Sequence, residues 1–235
     1  MKQYQKLQVD CTPSVPARKT RRMASILEPL VLILVPATLA VCVVCDYQQA
    51  ALLTFVVAVA AIAALFLSFE RSKPALRQIM PTVVLAALAA AGRIIFAPIP
   101  DFKPVSAICI IAGATFGRQS GFMVGALAAL VSNFFFGQGA WTPCQMYTWG
   151  LIGYISGIAA PYGWFDKKPV LLIWGFLSAM LYGLLLNGWY VIGFVHPITW
   201  QTVLAAYAAG FPSTSSTASQ LRCSSRLSIC LGKGS

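Results

Sequence analysis

The sequence has few charged residues and very few acids. Only 10% of its 235 residues are charged and 58% are hydrophobic, whereas soluble domains carry about 25% charged residues. Six acidic residues stand against seventeen basic ones, which gives a net charge of +11. Apolar runs of roughly 20 residues recur along the chain, the length that a membrane-spanning helix needs. We therefore predict an all-α integral membrane protein.

The motifs of several enzyme classes are missing as well. The sequence contains no G-x-x-x-x-G-K-[ST] of an ATPase, no H-E-x-x-H and no G-x-S-x-G. Glu28 is the only acid inside a predicted span, so paired intramembrane carboxylates are lacking. The seven cysteines match no zinc spacing, and the single histidine, His196, has no carboxylate nearby in sequence. We predict no enzyme activity, no catalytic residue, no metal site and no cofactor.

Apolar runs and short basic stretches alternate along the chain. The predicted spans are Ile26–Val44, Ala50–Phe69, Ile79–Phe96, Val105–Phe116, Phe122–Phe136, Met146–Pro161, Val170–Leu186 and a short Thr202–Phe211. If the N-terminus lies inside, fifteen of the seventeen basic residues fall on the inner side, and only Arg93 and Lys103 fall outside. This bias predicts a multi-pass protein with a cytoplasmic N-terminus. Basic residues at the inner surface also interact with anionic lipids, so the net positive charge does not require a nucleic-acid partner.

An uncharged, turn-rich stretch, FFFGQGAWTPCQM, separates two of these spans and is predicted to lie outside. Gln138 and Gln145 each offer a hydrogen-bond donor and an acceptor. Trp141 and Trp149 offer flat aromatic faces with one N–H each. The combination suits a large, amphiphilic, mostly neutral organic ligand. The alternative is that the tryptophans only anchor the protein at the membrane interface.

Two further polar residues lie next to this stretch. Asn133 interrupts an apolar helix, where an amide usually faces the bundle interior and bonds either a neighbouring helix or a ligand. Arg93 allows two interpretations. Its side chain could extend to the interface, or it could reach into the mouth of the bundle and meet an anionic or amide group of a ligand.

The third predicted span is rich in alanine. Ala86 and Ala90 form one small-x-x-x-small pair, and Ala87 and Ala91 form a second. Such pairs let another helix approach closely. They are therefore compatible with packing inside one bundle and with a docking face for a partner membrane subunit.

From about residue 70 to residue 160 the chain resembles the substrate-binding (S) subunits of energy-coupling factor (ECF) transporters, which take up vitamins in bacteria. The resemblance rests on the alanine-rich helix, the proline-rich loop APIPDFKP, the segment IAGATFGRQSGFMVGALAALVSN and the stretch FFFGQGAWTPCQM. The S subunits associated with cobalamin uptake are similar too. The resemblance implies a bacterial cell membrane protein that binds one vitamin beneath its outer loops, and the similarity to the second group makes cobalamin a candidate for that vitamin.

The resemblance further implies a six-helix core preceded by two extra N-terminal helices. It implies that the alanine face (Ala86, Ala87, Ala90 and Ala91) docks on a transmembrane coupling subunit driven by two cytoplasmic ATPases. The predicted substrate-binding residues are Arg93, Phe102, Asn133, Gln138, Trp141, Gln145 and Trp149. The predicted segments are a basic tail (1–25), two N-terminal helices (26–69), the S-subunit-like domain (70–211) and a C-terminal tail (212–235).

The end of the chain departs from the family pattern. After residue 211 the sequence becomes serine-rich and non-periodic, so the last core helix is predicted to be disrupted. A frameshift in the gene or its record is one explanation. The alternative to a transport function is that the protein is a membrane scaffold or assembly protein, whose outer loops only anchor it at the membrane interface.

Overall fold

The computed structural model describes residues 18–45, 50–72, 74, 76–98, 104–166, 168–194 and 201–205. These residues are helical apart from short turns, and no strand occurs among them. The long helices are α1 (Arg18–Cys45), α2 (Ala50–Arg71), α3 (Leu76–Ile95), α4 (Val105–Phe116), α5 (Arg118–Phe136), α6 (Thr142–Ala159) and α7 (Lys168–Phe194). Two 3₁₀ turns, Ala160–Tyr162 and Trp164–Asp166, join α6 to α7. The predicted all-α class is confirmed.

Four of the described helices are long and apolar enough to cross a membrane by length and composition, namely α2, α3, α5 and α7. Helix α4 has 12 residues, which at 1.5 Å per residue gives about 18 Å, short of the roughly 30 Å hydrocarbon core. Helix α6 carries polar residues that are buried in the bundle, such as Gln145, Thr148 and Ser156. The predicted spans therefore include two helices, α4 and α6, that are enclosed by neighbouring helices rather than by lipid alone.

Helices α5 and α6 form the centre of the bundle. They pack along one another, and α3, α4 and α7 surround them. The largest fully buried side chains lie largely on these two helices and include Phe122, Tyr147, Trp149, Ile152 and Tyr154. The residues that could form a site therefore come from the most enclosed part of the chain.

Glycines make the close approach of α4, α5 and α6 possible. A Cβ atom on Gly113 would lie 2.1 Å from the carbonyl oxygen of Gly153, and one on Gly153 would lie 2.2 Å from that of Gly121. A Cβ on Gly125 would lie 2.4 Å from the backbone of Trp149. Because these obstacles are backbone atoms, only glycine fits at this crossing.

Helices α1 and α2 pack against each other as an N-terminal hairpin, defined here as residues 18–71. The hairpin lies on α5, α6 and α7, chiefly through α2. Its outward faces carry exposed apolar residues such as Leu30, Ile33, Leu52 and Val56. The hairpin thus covers one side of the remaining helices with a lipid-compatible surface.

Two loop predictions are wrong. The predicted spans Val105–Phe116 and Phe122–Phe136 leave residues 117–121 as a connecting turn, but only Gly117, at φ 90°, interrupts the chain, and α5 begins at Arg118. The predicted span Val170–Leu186 leaves the aromatic-rich residues that follow it as a connection, but α7 continues through them to Phe194. Aromatic residues have only a moderately unfavourable helix propensity, so a helix continues through buried Trp189 and exposed Tyr190 and Phe194 alike.

Several predictions lie outside the described residues. They concern Phe102, Lys103 and His196, the basic tail before residue 18 and the C-terminal tail after residue 205. Of the short eighth span, residues 202–205 are described, and they are helical.

Candidate substrate-binding site

The bundle has two ends. At the Arg93 end, α3 and α5 finish and α4 and α6 begin, whereas at the Arg118 end α4 and α6 finish and α5 begins. The site predicted from the sequence lies at the Arg93 end. The two ends hold separate clusters of polar side chains.

Arg93 turns into the bundle. It lies in the last turn of α3, and its Nη1 donates to Oγ of Ser132 at 2.6 Å and to Oδ1 of Asn133 at 2.7 Å. Both acceptors lie on α5 and are fully buried. Of the two interpretations of Arg93, the structure supports the one in which the side chain enters the bundle.

The Asn133 amide connects Arg93 to α6. While its Oδ1 accepts from Arg93, its Nδ2 donates to Oγ1 of Thr142 at 3.1 Å and to Oε1 of Gln145 at 2.9 Å. Gln145 in turn donates through Nε2 to the hydroxyl of Tyr182 on α7 at 3.2 Å. A continuous chain of hydrogen bonds therefore joins α3, α5, α6 and α7, which orients every polar group in it.

Aromatic rings enclose this network. The Arg93 guanidinium lies 4.8 Å from the ring centroid of Phe136 and 4.9 Å from that of Trp149. Trp149 and Tyr182 stack with centroids 5.0 Å apart and planes inclined by 21°. Rings at these distances attract the cation through their negative faces. The result is a flat aromatic layer beside a fixed positive charge.

The charge of Arg93 has no carboxylate partner among the described residues. Its two hydrogen bonds use Nη1, and no described residue accepts from Nε or Nη2. A guanidinium has five N–H donors, so donors remain available for an acceptor from outside the protein. A cation placed in a membrane helix without an acid marks a functional site by default.

We refer to residues 137–141 as the Gln138 loop. Gln138 is exposed and donates to the carbonyl of Leu130 at 3.2 Å. Trp141 is 44% exposed, and its ring covers Gly139, where a Cβ would meet ring carbons at 2.4 Å. We call the hydrogen-bonded set Arg93, Ser132, Asn133, Thr142, Gln145 and Tyr182 the Arg93 network. Among the described contacts, the side chains of Gln138 and Trp141 do not bond to it, although the Trp141 carbonyl accepts from the backbone N–H of Gln145 at 3.0 Å.

The structure thus brings four of the predicted substrate-binding residues together, namely Arg93, Asn133, Gln145 and Trp149. It places Gln138 and Trp141 on the exposed loop next to them. Sequence reasoning missed Ser132, Phe136, Thr142 and Tyr182, which complete the network. A signal for Ser132 and Tyr182 was available, because each is a polar group within a predicted apolar span.

The four alanines of α3 divide into two sets. Ala86 and Ala90 are buried inside this chain, 4% and 2% exposed, on the side of α3 that packs in the bundle. Ala87 and Ala91 are exposed. Of the two small-residue pairs, only the second remains accessible to another subunit.

A protein-family model described as "ECF-type riboflavin transporter, S component" matches residues 73–220, more than half of the chain. No curated protein and no solved structure matches the chain significantly. ECF S components are vitamin-binding subunits of transporters rather than enzymes, and they associate with a membrane coupling subunit and ATPases. The matched residues include the whole Arg93 network and all four alanines of α3. The chain therefore belongs to the family of ECF-type riboflavin transporter S components, and it is a multi-pass membrane subunit that binds a vitamin for an ECF transporter.

Proposed function

We propose that this subunit captures riboflavin at the Arg93 end and delivers it through the coupling subunit and the two ATPases. The observation that carries the proposal is the fixed Arg93 guanidinium beside the stacked Trp149 and Tyr182 rings. Membership of an S-component family favours a transport subunit over a membrane scaffold.

The chemistry of riboflavin matches these groups. Its flat three-ring system is able to lie against an aromatic layer, and a ring carbonyl with its neighbouring unprotonated ring nitrogen offers two acceptors for the Nε and Nη2 donors of Arg93. Its polyol chain requires partners that both donate and accept, such as Gln138 in the loop above the network. No acid is needed to bind such a ligand, which agrees with the absence of a described carboxylate at this end.

Riboflavin is a better candidate than cobalamin. Cobalamin has a macrocyclic ring fringed with many amides and is far larger than one flavin ring system. The Arg93 network is confined between α3, α5, α6 and α7, and its buried members make one continuous set of hydrogen bonds. The description of the matching family names riboflavin as well.

We further propose that the Arg93 end faces outside and that the N-terminus is cytoplasmic. The excess of basic residues in the segments at the opposite end supports this orientation. Arg93 would then meet the vitamin as it arrives, and the Arg118 end would face the ATPases.

The fluorescence of riboflavin should be quenched when riboflavin binds this protein, since flavin fluorescence falls when the ring stacks on tryptophan or tyrosine. We expect detergent-purified protein to bind one riboflavin per chain in a saturable titration, and we expect cobalamin not to displace it. The measurement is flavin fluorescence against protein concentration, with mass spectrometry of any co-purified ligand. Saturable cobalamin binding, or no riboflavin binding by protein that elutes as one folded species, would contradict the proposal.

Ala87 offers a test of docking. Ala87→Phe adds bulk to the exposed side of α3, where close helix approach requires a small residue. We expect at least a fivefold loss of coupling subunit co-purified with the variant, on the order of the 1 kcal/mol that a packing defect costs at such an interface. Riboflavin binding by the isolated subunit should be unchanged.

The matched control for docking is Ala60→Phe, which makes the same change at an exposed position of α2. It should leave co-purification intact. Equal losses in the two variants would show that added bulk, rather than the α3 face, disturbs the complex, and a parallel loss of riboflavin binding would show that Ala87 contributes to internal packing.

A further inference from the structure

The N-terminal hairpin lies before residue 73, where the family match begins. Its role is therefore open, and so is the question of what holds it against the other helices. In a membrane, apolar contact alone provides little attraction between helices, because lipid tails are as apolar as the side chains. Specific polar contacts across the interface are the features that could hold it.

The first such contact lies in the middle of α1. Pro36 is inside this helix and has no backbone N–H, so the carbonyl of Leu32, four residues earlier, loses its helical hydrogen bond. The hydroxyl of Tyr147 on α6 donates to that carbonyl at 2.5 Å. Tyr147 and Leu32 are both buried, 1% and 3% exposed. A gap in one helix is thus filled by a side chain of another.

The second contact lies at the Arg118 end. Glu28 on α1 is only 3% exposed, and its carboxylate pairs with Arg118 Nε at 3.2 Å. The same carboxylate accepts from Gln119 Nε2 at 2.5 Å and from the hydroxyl of Tyr154 at 3.1 Å. Ser68 of α2 donates to it as well. One acid therefore gathers partners from α2, α5 and α6.

Both contacts reach α6, at Tyr147 and at Tyr154, which lie seven residues and so two turns apart on one face. An unpaired carbonyl and an unpaired carboxylate in a membrane would each be costly, so neither partner separates easily once the contact has formed. We propose that the α5–α6 surface around Tyr147 and Tyr154 is a docking surface whose partner is the N-terminal hairpin, and that the hairpin is a permanent part of the membrane domain. This inference does not depend on which vitamin is bound.

A double-mutant cycle tests the Tyr147 contact. Tyr147→Phe leaves the Leu32 carbonyl unpaired and should lower the thermal unfolding midpoint by about 5 °C. In a Pro36→Ala background the new backbone N–H reaches that carbonyl, so the same Tyr147→Phe change should shift the midpoint by about 1 °C or less.

Pro29→Ala is the matched control, because the N–H that it restores faces the carbonyl of residue 25 rather than that of Leu32. It should leave the effect of Tyr147→Phe unchanged. A Tyr147→Phe effect of the same size in all three backgrounds would overturn the assignment of this contact, since it would show that the hydroxyl does not serve the gap made by Pro36.

Attachment of the hairpin is measured on the otherwise unaltered chain. A protease site is inserted between Ser72 and Pro74, and the folded, N-terminally tagged protein is cleaved in detergent. We expect the cleaved core to stay with the tagged hairpin through size exclusion. In Glu28→Ala/Tyr147→Phe protein, at least tenfold less core should be retained with the hairpin. Glu28→Gln keeps a hydrogen-bond acceptor and the shape of the side chain, so its retention should lie between those of the unaltered chain and the double variant. Separation of hairpin and core in the otherwise unaltered chain would overturn the proposal without any reference to ligand binding.

Discussion

Replacing Arg93 with leucine is expected to weaken riboflavin binding by roughly 100- to 1,000-fold. Arg93 provides the one described cation at this end of the bundle, and hydrogen bonds to charged groups contribute about 1.5–3 kcal/mol each. Two such bonds at the lower end of this range, about 1.5–2 kcal/mol each, correspond to about 3–4 kcal/mol, and ~1.4 kcal/mol is a factor of ten. Fluorescence titration of the purified variant gives the affinity, and its elution profile and unfolding midpoint show whether the fold is retained.

Arg93→Lys separates charge from shape. Lysine keeps the positive charge but lacks the planar fork that bonds Ser132 and Asn133 while it presents further donors. We expect the riboflavin affinity of this variant to fall about tenfold, which is less than the fall expected for Arg93→Leu. An affinity equal to that of the unaltered protein would show that only the field of the cation matters.

The Gln138 loop provides the comparison for Arg93. Gln138→Ala/Trp141→Ala removes two exposed side chains that make no described bond to the Arg93 network. A net hydrogen bond and an aromatic contact each contribute about 0.5–1.5 kcal/mol, so we expect a loss of roughly tenfold and at most about 100-fold. If this double variant lost more affinity than Arg93→Leu, the ligand would lie on the loop rather than against the network.

Gly153→Ala is expected to destabilise the fold severely. Its Cβ would lie 2.2 Å from the carbonyl oxygen of Gly121 and 2.5 Å from the carbonyl carbon. These are backbone atoms of the adjacent helix, so α5 and α6 would have to separate along their whole crossing. Overpacking of this kind costs about 3 kcal/mol or more, which corresponds to a fall of about 10 °C in the unfolding midpoint.

Gly150→Ala is the control for this effect. It makes the same substitution one turn away on α6, but there the Cβ would meet the ring of Phe122, with the nearest carbon at 2.6 Å. A side chain is able to shift where a backbone is not, so the midpoint should fall by less than half as much. If both variants unfolded at the same temperature, the crossing would not depend on backbone contact.

The two arginines at the ends of the bundle differ in a way that supports separate roles. Arg118 pairs with the buried carboxylate of Glu28, so its charge is neutralised within the chain. Arg93 has only neutral acceptors and aromatic rings among the described residues. A neutralised pair stabilises a contact between helices, whereas an unneutralised cation with accessible donors has binding capacity left for a ligand.

Composition and hydrophobic runs were sufficient to predict the all-α membrane class and the approximate position of each long helix, although α1 begins eight residues before its predicted span and α7 ends eight residues after its own. The bounds of α4, Val105–Phe116, agree with the sequence prediction because proline precedes it and glycine follows it. The resemblance also identified the S-component family, which the family match confirms. These properties follow from local patterns, because a bilayer requires every spanning segment to be apolar and internally hydrogen-bonded.

Which polar residues meet was decided by the tertiary structure. The sequence indicated that Arg93, Asn133 and Gln145 were candidates, but their partners Ser132 and Tyr182 lie on helices far along the chain.

Glu28 was likewise visible in the sequence as a lone acid in a span. Its ion pair with Arg118 spans ninety positions of sequence, and no periodic pattern predicts such a pair. The two alanine pairs of α3 are also identical as motifs, yet Ala90 is buried and Ala87 is exposed. A local pattern determines that a segment is helical and apolar, while the face that it turns to its neighbours depends on how all the helices pack at once, which only the folded bundle settles.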